Sequence, residues 1–440
     1  MRLMISGSGS GCGKTTVALA MIAALRREGL SVQPFKAGPD YIDPGFLSAA
    51  ASRPAHNLDP FLMDPKAIAQ VYEWGMRGAD CALIEGAMGY YDGIGPEGRA
   101  SACELARQTQ TPTVLVLNAS GSASSLAATA LGFRDYLPDN GIAAVFLNGI
   151  SGPRHYDLAR ESIERRTGLP CVGWLSRNAG FHWDSRHLGL VQAGEQADLT
   201  GQIEALAQSI HLELERLMPL MASARPIPAE PMADVRLQEP YRMGVARDEA
   251  FSFYYEANLE MLRRMGMELI PFSPLRDPAL PEGLDGLYLG GGYPELHLKE
   301  LGANRGLLDS LRAALETGLH CYAECGGLML LCRSVDGVPL TGFLPIDCEM
   351  TDRLQRFGYV SVRDTLSGLR FPAHEFHRSR ILEPVGLSEA FEIRKAADAR
   401  MVYRGGYRSG NVLAGYPHVH FWGRPELVKL LWGLDEDRQE

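Results

Sequence analysis

The chain has no run approaching the roughly 20 uninterrupted apolar residues that a membrane-spanning helix needs. It has no excess of positive charge either: 43 Lys+Arg stand against 53 Asp+Glu, a formal net charge of −10. No basic surface therefore offers itself to nucleic acid or to an anionic membrane, and a small anionic ligand would have to be met by local cations. No two of the eight cysteines (Cys12, Cys81, Cys103, Cys171, Cys321, Cys325, Cys332, Cys348) form a CxxC pair at zinc-like spacing, so they read as reduced thiols, most of them buried. The first apolar stretch runs straight into glycines and a lysine, which is not the layout of a signal peptide, and the expected location is the cytoplasm. With 46% hydrophobic and 22% charged residues, disorder, collagen and coiled coil are excluded. At roughly 150 residues per domain the length argues for two or three domains.

What is present is alternation. Up to about residue 220, short apolar or β-branched runs (RLMIS, SVQPFK, CALIEG, TVLVLN, AAVFLN, PCVGWL) are separated by helical patterns such as Lys14–Glu28. That spacing indicates βαβ units and a mostly parallel sheet. Residues 221–241 are rich in Pro and Ala and read as a linker. The alternation restarts with MGVARD, MELIPF, GLYLGGG, HCYAEC and later VLAGYPHVHF, so a second α/β domain is expected over 242–440, after a first over 1–220.

Residues Gly7-Ser8-Gly9-Ser10-Gly11-Cys12-Gly13-Lys14-Thr15-Thr16 follow a short strand and open an apolar-periodic helix. This is the setting of a phosphate-binding loop. Backbone N–H groups at Gly9, Gly11 and Gly13 can approach phosphate oxygens, Lys14 reaches the terminal phosphates, and Thr15 and Thr16 carry hydroxyls, that of Thr15 suited to Mg²⁺. The strict G-x-x-x-x-G-K-[ST] pattern would want glycine at Ser8, so the leading glycine is Gly7 and the loop is one residue longer.

Acidic residues follow at strand ends. Asp40 and Asp43 sit in FKAGPDYIDPGF, Glu85 ends CALIE, and Asp92 lies shortly beyond. Carboxylates at the C-terminal ends of parallel strands point into the crevice where open α/β sheets bind ligands, and their oxygens suit Mg²⁺ on a triphosphate. Asp40 and Asp92 also fit ordinary turns. Lys36 is either a second phosphate cation or a surface lysine.

In the second half, Cys325 stands between a strand and a helix and is followed by Gly326 and Gly327. A tight turn there would project the thiol as a nucleophile for an amide or acyl carbon, with the next backbone N–H facing developing negative charge. Cys321 and Cys332 read as buried structural thiols. Tyr416-Pro417-His418-Val419-His420-Phe421 places two histidines on one side of a presumed strand; His418 is the preferred base and His420 the alternative. Backbone N–H groups of Leu289-Gly290-Gly291-Gly292-Tyr293-Pro294-Glu295 could complete an oxyanion hole. His374-Glu375-Phe376-His377 has its histidines three apart, not the four of H-E-x-x-H, which favours substrate binding over a zinc site.

With these elements in place the sequence resembles the cobyrinate a,c-diamide synthase family over nearly its whole length. The resemblance is carried by QPFKAGPDYIDPGF, RPAHNLDPFLM, IEGAMGYYDG, VARDEAFSFYY, LGGGYPEL, YAECGGLM, HEFHRS and YPHVHF. The family's longer phosphate loop, shared with dethiobiotin synthetase, accounts for the displaced glycine. The resemblance implies an N-terminal P-loop NTPase-like, dethiobiotin-synthetase-like amidoligase domain joined to a C-terminal α/β domain of the class I glutamine amidotransferase type. It makes Cys325 the thiolate that attacks glutamine, His418 its activator, and Gly326 with the LGGGYPEL glycines, Gly291 among them, the oxyanion stabilisers. Ammonia would pass internally to an acyl phosphate formed with ATP. Lys14, Lys36, Thr15, Asp43 and Glu85 would serve triphosphate and Mg²⁺, Asn148 would read adenine, and Asp40, Tyr41 and Asp92 would line the macrocycle carboxylate site. The expected ligands are ATP, Mg²⁺, L-glutamine and a corrinoid, with no nucleic acid or membrane partner and a monomer or homodimer as the assembly. The usual triad ends in a glutamate two residues after the histidine; here that position is His420, so the expectation is a Cys–His dyad lacking an assigned orienting carboxylate.

Relatives acting on hydrogenobyrinate or nickel-sirohydrochlorin share these motifs. Cobyric acid synthase, with its YLHG ending, fits less well. A ParA/MinD-like regulatory ATPase would use a similar phosphate loop but gives no reason for the elbow cysteine and the C-terminal histidine.

Overall fold

A computed structural model describes residues 1–177, 185–186, 189–190, 192–232, 235–382 and 386–434. The chain divides into two compact units, Met1–Pro231 and Met232–Glu440. The Pro- and Ala-rich stretch spans this division, and the helix Leu214–Ala222 reaches into its start, with Met221 fully buried in the first unit's core.

In the first unit the apolar runs become strands: β1 (Arg2–Gly7), β2 (Val32–Ala37), β3 (His56–Leu58), β4 (Cys81–Glu85), β5 (Thr113–Asn118), β6 (Ile142–Ile150) and β7 (Cys171–Ser176). Their spatial order is β7-β6-β5-β1-β4-β2-β3, all parallel, with Ile210–Leu212 added antiparallel beyond β7. Every residue of β1 and β2 is buried, as expected for strands covered on both faces. Helix α1 (Lys14–Arg27) buries Val17 through Ala23 and Leu25, so it is enclosed rather than amphipathic. Gly13 caps it in the left-handed region (φ 89°), and Gly29 (φ 85°) follows its end, with Arg26 and Arg27 in the last turn favouring the negative end of the dipole. Truncating a fully buried leucine such as Leu19 to Ala would cost roughly 2–5 kcal/mol.

Register places chemistry. Ile5 of β1 and Lys36 of β2 are both direct partners of Glu85 on β4, so the phosphate loop, the lysine and the glutamate emerge from three adjacent strands at one end of the sheet.

The second unit begins as expected, with Met267–Phe272, Tyr241–Ala246, Gly286–Leu289, His320–Glu324 and Val412–Gly415 side by side and parallel. The same sheet then continues antiparallel through Val402–Ser409, Ser388–Lys395, Arg356–Asp364, Arg370–His377 and His418–Val419. A smaller sheet holds Cys332–Val335, Val338–Pro339, Leu344–Met350 and Ser379–Leu382. Half of this unit is thus antiparallel hairpin rather than βαβ. In the smaller sheet Asp336 (φ 48°) and Gly337 (φ 77°) form a two-residue hairpin turn with both residues left-handed. The Asp364 carboxylate accepts N–H bonds from Leu366 and Ser367 in the turn before Arg370.

Candidate active sites

In the first unit the loop after β1 bends back tightly. Gly11 (φ 77°) and Gly13 (φ 89°) are left-handed, and a Cβ at Gly7 would lie 2.1 Å from Cys12 Sγ. Asn148, at the end of β6, donates from Nδ2 to the Cys12 carbonyl at 3.0 Å and fills the space over Gly13. The IEGAMGYYDG loop packs against the same turn: a Cβ at Gly89 would come within 3.3 Å of Gly9 Cα, and Tyr90 N–H donates to the Gly7 carbonyl. The structure thus brings Gly9, Gly11, Gly13, Lys14, Thr15, Thr16 and Asn148 to the start of a 14-residue helix, whose N-terminal N–H groups favour an anion.

Beneath the loop lies a charged cluster. Lys36, only 2% exposed, is no surface lysine; its Nζ is 2.5 Å from Asp43 Oδ2 and 3.0 Å from Glu85 Oε1. Thr15 Oγ1 donates to the same Glu85 oxygen. Glu85 is fully buried, and its Oε2 has no hydrogen-bond partner among the described residues. Burial raises its pKa to about 7, against the pull of Lys36. Burial would lower that of Lys36, yet the charges of Asp43, Glu85 and Asp40 more than offset this and hold the ammonium charged. Asp40 accepts the N–H groups of Ile42 and Asp43 at 2.7 and 2.9 Å, and burial raises its pKa too. Asn57 pins this turn by donating to the carbonyls of Gly38 and Asp40. Asp92 is exposed and accepts Gly89 N–H at 2.8 Å, so its carboxylate shapes its own loop while facing solvent; Tyr41 is half-buried in the Asp40 turn. The orphan oxygen of Glu85, the Thr15 hydroxyl and Asp43 form an oxygen donor set that fits Mg²⁺.

In the second unit Cys325 sits at φ 48°, ψ −99°, between His320–Glu324 and the helix Gly326–Leu331. A non-glycine residue there is strained, which is the mark of a nucleophile elbow. Its N–H donates to the Gly415 carbonyl at 2.7 Å. Gly327 is forced by crowding, since a Cβ would lie 2.1 Å from the Leu289 carbonyl oxygen. Burial pushes the thiol far above its ordinary pKa, the charge of Glu295 adds to this, and the Gly326 N–H donated to the sulfur opposes it. The ligand-free chain therefore holds a neutral thiol rather than a preformed thiolate, and a base has to take its proton.

The two histidines part company. Only His418–Val419 forms a strand, paired to Ala373–His374, and the rings find different neighbours. His418 is buried, with Nδ1 3.2 Å from Glu324 Oε2. A carboxylate can only accept, so Nδ1 carries the proton and Nε2 is left as the basic atom. His420 instead packs 5.2 Å from the Tyr255 ring; among the described residues neither ring nitrogen has a hydrogen-bond partner, and burial lowers its pKa to about 3. Asn258, fully buried, fixes the segment by donating to the Val419 carbonyl and accepting Phe421 N–H, both at 2.7 Å.

Glu324 is the residue that sequence reasoning missed. The usual position for an orienting carboxylate holds His420, but the residue before Cys325 supplies a carboxylate from another strand, and its Oε1 also accepts Val419 N–H at 3.4 Å. The signal was present: an acid closing an apolar strand, the feature that singled out Glu85.

The glycine loop completes the cluster. A Cβ at Gly291 would meet His418 Cε1 at 2.6 Å, and one at Gly326 would meet Gly292 N at 3.2 Å. Cys325, Gly326, Gly291 and His418 are therefore brought together. Gly290 N–H is committed to the Tyr254 hydroxyl at 2.8 Å. The HEFH segment lies on the strand Arg370–His377, which sends His374 and His377 to opposite faces; His374 pairs with His418 in register, and His377 stacks on Tyr416 at 3.6 Å.

Comparison with known proteins agrees in both units. Residues 3–191 match the CobQ/CobB/MinD/ParA nucleotide binding domain, and residues 242–426 match the CobB/CobQ-like glutamine amidotransferase domain. A protein from Dehalococcoides mccartyi named cobyrinate a,c-diamide synthase is 39% identical, covering 97% of this chain and 96% of its own. One of the same name from Listeria innocua is 37% identical over 98% and 99% of the two chains. Another from Methanothermobacter thermautotrophicus is 38% identical over 97% and 98%.

Proposed function

The chain belongs to the cobyrinate a,c-diamide synthase family, and from that premise we propose that it amidates the a and c acetate carboxylates of cobyrinate with ATP and nitrogen from glutamine. The observation that carries the amidotransferase half is the Glu324–His418 contact beside the strained Cys325, for which a nucleotide-driven switch has no use.

At the second unit, His418 Nε2 takes the thiol proton as sulfur attacks the glutamine carboxamide carbon, and Glu324 stabilises the imidazolium. The resulting oxyanion is met by the Gly326 N–H and the Gly291–Gly292 backbone. The imidazolium returns the proton to the leaving nitrogen, ammonia departs, and water hydrolyses the thioester to glutamate.

At the first unit, the N–H groups from Gly9 to Gly13 and the ammonium of Lys14 hold the triphosphate. A substrate carboxylate oxygen attacks the γ-phosphorus, the bond to the bridging oxygen breaks and ADP leaves. Ammonia attacks the acyl phosphate carbon, loses a proton, and phosphate departs, leaving the amide. Mg²⁺, held by Thr15, Asp43 and Glu85, would neutralise charge on the phosphates. Lys36 supplies fixed positive charge beside that set. Asn148 bounds the nucleotide end of the site, and Asp40, Tyr41 and Asp92 bound the macrocycle end.

The test presents the purified protein with cobalt-containing and cobalt-free macrocycles, ATP and glutamine, and counts amides by mass spectrometry. Two amides on cobyrinate are expected, and turnover of only the cobalt-free substrate would move the assignment. Cys325→Ser should abolish glutamine-supported amidation and spare amidation from ammonium salts; intact glutamine use would remove the glutaminase assignment.

A further inference from the structure

Glu295 follows Pro294 in the short turn Pro294–His297, directly after the glycine loop. This turn leans on the elbow, since a Cβ at Gly326 would come within 3.0 Å of Pro294 Cδ. The Glu295 side chain is partly buried, and its negative charge bears on both Cys325 and Cys348. Among the described residues its carboxylate meets its own backbone N–H, and the charged group that bears on it is another acid, Asp336. Burial, with the charge of Asp336 added, raises its pKa to about 7.

A carboxylate withdrawn from water beside a second acid is costly unless a cation answers it. No cation among the described residues answers it, whereas one of the site's reactants carries a cation. Glutamine brings a carboxamide to the thiol and carries an α-ammonium at its other end. We propose that Glu295 binds the α-ammonium group of glutamine, and so makes the thiol site selective for an amino acid over other primary carboxamides. The inference rests on the glutaminase reading of Cys325. It accounts for an acid placed where its charge raises the thiol's pKa: the bound ammonium cancels that charge, so the nucleophile gains reactivity when the correct substrate is seated.

The test compares the full-length wild type with Glu295→Gln on L-glutamine and on glutaramate, which has hydrogen in place of the α-amino group. The wild type should prefer glutamine by roughly 100-fold or more in kcat/KM, because a site built around a substrate ammonium rejects the analogue lacking it. The variant should lose most of that preference through a higher KM for glutamine, with kcat changed only a few-fold. A second measurement needs no turnover: Cys325 labelling by a diazoketone analogue of glutamine should slow in the variant, whereas labelling by iodoacetamide should not. Retained preference for glutamine, or equal slowing with both reagents, would overturn the proposal. Glutamine hydrolysis by Cys325→Ser would instead strike the reading beneath it.

Discussion

Glu324 accepts the Nδ1 proton of His418 at 3.2 Å across 94 residues of sequence, and both side chains are almost wholly withdrawn from solvent. The contact fixes one tautomer, in which the nitrogen facing away from the carboxylate carries the lone pair. An apolar replacement at either position would take this hydrogen bond from a partner that stays buried.

Glu324→Gln keeps the volume but removes the charge that favours the imidazolium. Glutaminase kcat should fall roughly 100-fold or more, with KM changed only a few-fold, by analogy with the loss when a triad carboxylate is neutralised. Steady-state kinetics with glutamine and with ammonium salts separate the two half-reactions; only the first should respond. A glutamine rate within a few-fold of wild type would mean that the carboxylate does not orient the base.

Gly291→Ala places a methyl carbon where the ring edge of His418 now lies, at 2.6 Å from Cε1. The imidazole must shift, and a displacement on the order of 1 Å at a reacting group costs about 100-fold. The expected result is loss of glutamine-supported amidation without loss of ammonium-supported amidation. Equal loss of both would point to unfolding, which a thermal melt would reveal.

Glu85 carries the pH prediction. Burial sets its folded pKa at about 7, above the ordinary 4.5. Its contribution to stability is therefore fullest below the unfolded value and is lost as pH rises through about 7. Urea midpoints of the ligand-free protein, measured from pH 5 to 8, should drop more for wild type than for Glu85→Gln. The same substitution should cost ATP-dependent amidation roughly 100-fold with either nitrogen source. Parallel pH curves would show that Glu85 does not titrate in this window.

The βαβ framework was legible because each apolar run is short, buried on both faces and bounded by a helix-length segment. The phosphate loop and the cysteine elbow were legible because both are strand-to-helix turns whose glycines are required by contacts at Gly7, Gly13 and Gly327. The antiparallel half of the second unit was not, since its strands alternate too weakly to stand out, although Asp336-Gly337 marks one hairpin. Lys36 could have been a surface residue by sequence alone; its 2% exposure and its ion pairs with Asp43 and Glu85 show that it is enclosed. Glu324 escaped because the usual orienting carboxylate stands two residues after the histidine, whereas this one is brought to His418 by a side-chain contact from 94 residues earlier in the chain.

That carboxylate has a further consequence. Glu324 and Cys325 are joined by one peptide bond, so the proposed nucleophile and the carboxylate proposed to aim its base hang from a single turn. Neither can drift without carrying the other. A one-residue slip of His320–Glu324 along its neighbours would swing both to the wrong side of the sheet at once. The aim of the imidazole and the reach of the sulfur are inherited together, as one mechanical part.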